Sequence, residues 1–349
     1  MSVKAYAFVS ARIGAMRSYL LESAGIKSLI DAPAWEDAVA LLKDSEYGRE
    51  LGKLRSPDIL DIEEVLTKSL LRDYEKIISS SGGESRKFIE TIGRRFEVGA
   101  VKAVTLGKVL GMSREEIKEQ VIIPFGKITE LRLSKMLETE SVEELVESMR
   151  NTPYYTPMRK GLTSLKEEGT PFSLLALLDQ HVYSEILGAI KSLSERDRKD
   201  AKRLIGTEVD AKNLLLALRC QNLDEDKVVK LFIKPWYRIK ENVLRTCLAG
   251  NIEVLTSKEF PYLKYVEPGL TVYRKTGSLT ELEMGMKKLV LNLNKSMFHG
   301  DRFHIGVLIG YLNLKENEIR NIIAVMRGKK DNLDPEDIKK LVILPGEAA

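Results

Sequence analysis

The side chains best suited to chemistry in this sequence are three histidines and two cysteines. They are His181, His299, His304, Cys220 and Cys247. A structural zinc site would need such residues in a closely spaced cluster, and a zinc protease would need the H-E-x-x-H pattern. Neither pattern is present, although His299 and His304 lie close together on either side of a short turn-like segment. The sequence therefore predicts no metal site, no cofactor site and no nucleophile–base pair.

Two other enzyme motifs are present only in part. Gly107-Lys108 is followed by Val109, so the phosphate-binding sequence G-x-x-x-x-G-K-[ST] is absent. Lys275-Thr276-Gly277 matches a triplet of penicillin-binding enzymes, but no Ser-x-x-Lys motif precedes it in an α/β context, and we predict a loop there. Acidic residues are plentiful, so a hydrolase or transferase that uses a carboxylate pair stays open as an alternative.

Composition and charge narrow the class of protein. The 349 residues include 55 basic and 51 acidic ones, a net charge of +4, and charges of both signs are interspersed. A nucleic-acid-binding repeat would show a concentrated basic stripe, so we expect no nucleic acid partner. The two cysteines belong to no motif, which predicts no disulfide framework and fits a reducing compartment.

The sequence also predicts that this chain has no transmembrane segment of its own. Its most apolar stretch, residues 171–190, contains Asp179, Gln180, His181 and Glu185 and is too polar to cross a bilayer. The N-terminal residues show no charged-then-apolar signal pattern. A role at a membrane would therefore be a peripheral one.

Apolar residues recur at three- and four-residue steps along most of the sequence, which predicts amphipathic helices. Any functional residues must therefore be positioned by helices. Long helices are predicted over 58–80, 85–110, 171–193, 194–220, 279–298 and 302–327. Ser113 with Glu116 predicts a capping box, and Ser194 with Asp197 has the same spacing. Gly306 and Gly310 predict close helix–helix approach. Residues 270–273 form the one plausible short strand, with a loop as the equal alternative.

The most informative feature is an internal repeat. A basic or amide residue is followed six positions later by a basic residue that ends a helix, then by an aliphatic residue and, seven positions after that, by a proline. The three copies are Lys102, Lys108, Ile117 and Pro124; Asn213, Arg219, Val228 and Pro235; and Asn321, Arg327, Ile338 and Pro345. The fixed seven-residue step makes chance recurrence a poor explanation.

The third copy lacks its second half, and the missing half is found at the start of the chain. The first two copies continue into short helices and a Pro-Tyr pair, at residues 153–154 and 261–262. The same pattern occurs at the start of the chain: a helix beginning near Ala11, a second helix over 35–43, and then Glu46-Tyr47-Gly48. Because a half unit cannot bury its apolar face alone, we expect residues 1–50 to complete the third unit.

Several segments together resemble the family of C subunits of A/V-type ATPases (ATP synthases), whose eukaryotic relative is the d subunit of the V-ATPase. They are residues 11–21, 212–219, 318–329 and 333–338, in the order and spacing of that family. The resemblance extends from Tyr6 to Pro345. One departure is that the first copy has Lys102 and Lys108 where the others have asparagine and arginine.

The resemblance implies an all-α, funnel-shaped protein with three pseudo-three-fold-related helical subdomains. The expected divisions are residues 51–158, 159–270 and 271–349, with the third subdomain completed by residues 1–50. The implied function is that of a non-catalytic coupling protein, on the cytoplasmic face of the cell membrane, in an ATPase that transports protons or sodium ions. Its partners would be the central-stalk subunits and the membrane rotor ring. The alternative is a helical scaffold or adaptor unrelated to ATPases.

A ring of three units would have a central socket, and the basic residues at the helix ends would surround it. Those residues are Lys108, Arg219 and Arg327, together with Lys329 and Lys330. Two roles are open for each of them: contact with acidic groups of the stalk, or stabilisation of the C-terminal end of its own helix.

Overall fold

The structure, a computed structural model, describes residues 3–121, 130–221 and 223–344. Every regular element in these ranges is helical, which confirms the predicted all-α class. The first nine helices are α1 (Val3–Arg17), α2 (Ser23–Asp31), α3 (Trp35–Lys43), α4 (Gly48–Leu51), α5 (Ile59–Ser80), α6 (Gly83–Val109), α7 (Arg114–Gln120), α8 (Glu130–Glu138) and α9 (Val142–Ser148). The next nine are α10 (Tyr155–Glu168), α11 (Phe172–Ala189), α12 (Glu195–Arg219), α13 (Glu225–Leu231), α14 (Glu241–Leu248), α15 (Leu263–Thr276), α16 (Thr280–Ser296), α17 (Ile305–Lys330) and α18 (Pro335–Leu341). Short 3-10 helices cover Ile190–Ser192 and Glu253–Thr256.

The six long helices predicted from apolar periodicity are confirmed as α5, α6, α11, α12, α16 and α17. Two of these helices, α5 and α12, start with a side-chain cap, because a side-chain oxygen can satisfy an amide that has no partner within the helix. Asp58 accepts the amide of Asp61 at 2.9 Å before α5. The Ser194 hydroxyl accepts the amide of Asp197 at 3.3 Å before α12. The capping box at Ser113 is also present.

Two sequence predictions were wrong. Residues 270–273 are neither strand nor loop but part of α15, because Val266 and Leu270 lie one helical turn apart and are both buried. The predicted loop at Lys275-Thr276-Gly277 is instead the end of α15, closed by Gly277 at φ 72°. In addition, α1 begins at Val3 rather than near Ala11.

The three longest helices, α6, α12 and α17, come together at their N-terminal ends. The hydroxyl of Tyr6 in α1 lies 2.7 Å from the Oγ atom of Ser85 in the first turn of α6. The buried carboxylate of Asp197, in the first turn of α12, accepts the backbone amide of Ile305, the first residue of α17, at 2.9 Å. Helix N-termini carry partial positive charge, so a shared carboxylate stabilises this junction.

The short helices repeat one packing arrangement three times. Helix α7 packs on α8, α13 packs on α14, and α18 packs on α2. Of these partners, α8 also packs on α6, α14 on α12, and α2 on α17. The N-terminal α2 thus occupies the place beside α17 that α8 and α14 occupy beside their own long helices. This packing supports the predicted completion of the third unit by the N-terminal segment.

Two of the repeat positions make the same paired hydrogen bonds. The side-chain amide of Asn213 donates to the carbonyl of Ile233 and accepts its backbone amide, both at 2.9 Å. Asn321 does the same with Ile343, at 2.8 and 2.9 Å. Each isoleucine stands two residues before a repeat proline. In the first copy Lys102 differs: it forms an ion pair with Asp179 in α11, with an Nζ–Oδ2 distance of 2.7 Å.

Two of the predicted repeat positions lie outside the described residues, and two of the predicted domain boundaries fall within helices. Pro124 and Pro345 of the repeat are outside the described ranges. The predicted divisions after residues 158 and 270 fall within α10 and α15, which pack on α11 and α16 respectively. No helix in the described part of the chain is both long and apolar enough to cross a membrane.

Gly310 permits close contact between α17 and α16, as predicted. A β-carbon at this position would lie 2.9 Å from the backbone oxygen of Asn294, which cannot easily move. We expect Gly310→Ala to lower the free energy of unfolding by about 1–3 kcal/mol, measured by urea denaturation. Gly188→Ala in α11 is the control, because nothing lies within 4 Å of its added β-carbon. That control should raise stability by up to about 1 kcal/mol. Equal effects of the two substitutions would contradict this account.

Candidate functional site

A polar cluster centred on Arg95 of α6 links the three longest helices. Its Nη1 atom lies 3.1 Å from the Oε1 atom of Glu208 in α12, and its Nη2 atom lies 3.2 Å from the Oδ1 atom of Asn313 in α17. The Tyr183 hydroxyl of α11 also donates to Glu208. Burial alone would raise the pKa of Glu208, but Arg95 and the neighbouring Lys212 hold that pKa below its usual value. Charged hydrogen bonds therefore link the three longest helices near their midpoints.

A pocket of about 440 Å³ lies beside this cluster. Helices α6, α11, α12, α16 and α17 all contribute to its wall. The wall combines apolar side chains with charged groups and the two repeat isoleucines, Ile233 and Ile343. Because all three of the longest helices line it, we call it the central pocket and take it as the candidate site for a partner.

Of the predicted site residues, only Arg219 lines this pocket. It forms an ion pair with Glu283 of α16, and its side chain is 53% exposed. Lys108 instead donates to the carbonyl oxygens of Leu137 and Thr139, at the C-terminal end of α8. Its pKa is lowered by burial. Lys108 therefore joins α6 to the following helices rather than facing the pocket.

The other three predicted site residues lie at the end of α17, away from the pocket wall. Arg327 forms two hydrogen bonds with the carboxylate of Glu63 in α5, at 2.5 and 2.8 Å. Lys329 donates to the carbonyl oxygen of Ala32, just after α2. Lys330 is exposed. The structure thus does not gather the five predicted cations around one opening, and two of them connect α17 to other segments.

Sequence reasoning missed the charged residues that matter most inside the molecule. Arg95, Glu208 and Lys315 stand in amphipathic helices where charges usually face solvent, and no motif marks them. The side chain of Lys315 is fully buried, and those of Arg95 and Glu208 are only 14% and 18% exposed. The one feature of the sequence that could have indicated their burial was their position among apolar residues of the longest helices.

A second polar cluster holds the N-terminal segment against α17. The Nζ atom of Lys315 contacts Glu46, the Tyr47 hydroxyl at 2.5 Å and the Oε2 atom of Glu318 at 3.3 Å. Glu318 also accepts the backbone amide of Leu21 at 2.6 Å. The other two long helices have comparable buried tyrosine–carboxylate pairs, Tyr154 with Glu97 and Tyr262 with Asp210, both at 2.7 Å.

This second cluster should make stability depend on pH. Burial raises the pKa of Glu318 to about 7, from 4.5, although Lys315 and the Leu21 amide oppose the shift. The folded protein therefore binds more protons than the unfolded chain between these two values. We expect the free energy of unfolding to fall as pH rises from about 4.5 to about 7, by up to roughly 1.4 kcal/mol per pH unit from this group. Urea denaturation across this range should show the slope, and it should be much smaller in Glu318→Gln; the same slope in both proteins would contradict the assignment.

The candidate chemical residues from the sequence do not assemble into one site. His304 is buried, with its Nδ1 atom 2.9 Å from an oxygen of Asp200. Burial raises the pKa of the Cys220 thiol to about 11 and that of Cys247 to about 12, so both thiols stay protonated near neutral pH. Within the described ranges, no cluster of residues has the composition of a metal site.

Comparison with known proteins gives a consistent result along nearly the whole chain. Residues 9–341 match the family described as ATP synthase (C/AC39) subunit. The C subunit of the A-type ATP synthase of Methanocaldococcus jannaschii is 28% identical over 97% of this chain and 86% of its own length. The corresponding C subunits of Pyrococcus furiosus and Methanococcoides burtonii are 26% and 28% identical, again over 97% of this chain and over 90% and 94% of their own lengths.

Proposed function

Because this chain belongs to the ATP synthase (C/AC39) subunit family, we propose that it is the non-catalytic central-stalk subunit of an A-type rotary ATPase. In this role it couples rotation of the stalk to the membrane rotor ring. Its relatives among the C subunits of A-type ATP synthases, aligned over 97% of the chain, support this function over an unrelated scaffold or adaptor.

A protein that couples rotation must transmit torque without bending, and the three longest helices suit this task. They contain 27, 25 and 26 residues, so each is about 40 Å long at 1.5 Å per residue. They meet near the junction at Asp197, and the side chain of Arg95 links them again. Two separate points of attachment resist rotation of one helix against another.

The observation that carries the proposal is the central pocket, whose wall draws on all three long helices. We propose that the helices form a funnel, narrow at the Asp197 junction, and that the pocket receives the foot of the stalk. The N-terminal segment closes the third unit through α2 and the Lys315 cluster, which gives all three sides of the funnel a similar construction.

The proposed position is peripheral, on the cytoplasmic face of the membrane, between the stalk and the rotor ring. The chain would serve ATP-linked transport of protons or sodium ions there without binding a nucleotide itself. Its partners would be the central-stalk subunits and the ring.

Capture from the native membrane tests this function. The full chain, tagged and expressed at its natural level, is purified after gentle detergent extraction, and mass spectrometry measures the co-purifying proteins. We expect the stalk proteins, the catalytic head and the rotor ring in fixed ratios. Recovery of the chain without any other part of the ATPase, while the tagged catalytic head still captures its complex, would overturn the proposal.

A further inference from the structure

The central pocket carries more positive than negative charge. Among the described residues, its wall contains six cationic side chains and three carboxylates, a difference of 6 − 3 = +3. The cations are Arg95, Lys102, Lys212, Arg219, Lys287 and Arg320, and the carboxylates are Asp179, Glu208 and Glu316. The whole chain has a net charge of +4 over 349 residues, so this local excess is concentrated in a small volume.

Four of these cations are paired within the chain. Lys102 pairs with Asp179, and Arg95 pairs with Glu208. Arg219 pairs with Glu283, and Arg320 pairs with Glu316 at 3.0 Å. The positive excess therefore resides mainly in the two remaining lysines of the pocket.

Among the residues that the structure describes, neither Lys212 of α12 nor Lys287 of α16 makes a direct ion pair or hydrogen bond, although Lys212 is near enough to Glu208 to lower the pKa of that carboxylate. Lys212 lies over the ring of Tyr183, with its Nζ atom 5.1 Å from the ring centre. Lys287 stands near two guanidinium groups: partial burial, followed by Arg320 and Arg219, lowers its pKa. The ammonium group of Lys287, held beside other cations, would be stabilised by an added anion.

We propose that Lys212 and Lys287 bind carboxylates of an acidic helical segment at the foot of the central stalk. This inference rests on the proposed function and specifies the chemistry of its docking site. Charge-assisted pairs of this kind orient a partner and speed its association.

The rest of the pocket wall favours a polypeptide over a small phosphate-containing anion. Apolar side chains stand among the cations: Phe172, Leu175, Leu216, Met286 and Val290. An amphipathic helix end offers both apolar and acidic groups to such a wall. Phosphate-binding loops bring backbone amides close to the ligand and are rich in glycine. No glycine stands among the lining residues in the part of the chain that the structure describes.

The test is charge reversal in the intact complex. Tagged chain with Lys212→Glu and Lys287→Glu is compared with unaltered chain and with Lys199→Glu and Lys202→Glu, a matched pair of exposed lysines on α12 outside the pocket. Thermal unfolding of the purified chains checks that all three fold. The measurement is the amount of stalk and head retained per rotor ring, by mass spectrometry, at several salt concentrations.

We expect the pocket variant to retain at least about tenfold less stalk and head, because like charges would then face each other. The control should match the unaltered chain. Replacing both pocket lysines with arginine should preserve retention, and replacing both with methionine should make it less sensitive to salt.

Equal retention by the pocket variant and the control at every salt concentration would overturn this inference and leave the proposed function standing. If the unaltered chain captures no stalk, the proposed function itself fails. Saturable ATP binding by the isolated chain that is lost in the pocket variant would reassign the site to a nucleotide.

Discussion

Replacing Lys315 with methionine is expected to lower the free energy of unfolding by about 3 kcal/mol or more. The ammonium group is fully buried and lies between the carboxylates of Glu46 and Glu318, with the Tyr47 hydroxyl beside it. Methionine preserves most of the side-chain volume, so the loss would come from leaving the buried Glu318 and the partly exposed Glu46 without their cation. Urea denaturation measures the change.

A matched control for this substitution lies on the same helix. Lys330 is exposed near the end of α17, so Lys330→Met should change stability by less than about 0.5 kcal/mol. Adding Glu318→Gln to Lys315→Met should restore part of the loss, because one of the unpaired acids is then neutral. If the two single lysine variants were equally stable, the buried cluster would not hold the N-terminal segment in place.

The Lys315→Met variant should also show which helices open first. Glu46 and Tyr47 belong to the N-terminal segment, and Lys315 belongs to α17. We therefore expect hydrogen exchange to speed up in α2 and α3 before it does in α14, because the buried residues of α14 belong to a separate core cluster within residues 211–286. Uniform acceleration along the whole chain would argue against a local closure.

Replacing Arg95 with leucine is the second substitution with a large expected effect, again about 3 kcal/mol of unfolding free energy. The guanidinium group joins Glu208 of α12 and Asn313 of α17, and removing it leaves a largely buried carboxylate without its main partner. Because this cluster joins the three long helices, we also expect weaker retention of the stalk in the intact complex.

The neighbouring residue provides the comparison. Arg94 pairs with Glu185 at 2.8 Å, but both side chains are more exposed, at 29% and 27%. Solvent screens such a pair, so Arg94→Leu should cost less than about 1 kcal/mol. Chemical denaturation of both variants under the same conditions measures the difference. Similar losses would show that the burial of the Arg95–Glu208 pair does not set its strength.

The amino-acid sequence by itself determined the helical class, the long helices and the capped starts of α7 and α12. These features depend on neighbours three or four positions apart, which periodicity reveals directly. It also revealed the repeat spacing and the family resemblance. Where it was wrong, at residues 270–273, a short β-branched run suggested a strand, but packing of one helical face on α16 favoured a helix.

Only the tertiary structure decided which charges are buried and what they join. In an amphipathic helix, a lysine such as Lys315 looks the same in the sequence whether it faces water or the interior. Its partner Glu46 is 269 positions away, and the partners Arg95 and Glu208 are 113 apart. No local pattern specifies pairs at such distances, because they form only when separate helices pack together. The predicted cations at the helix ends were therefore dispersed among different contacts, while the pocket lysines Lys212 and Lys287 came together from two helices that the sequence alone could not bring into contact.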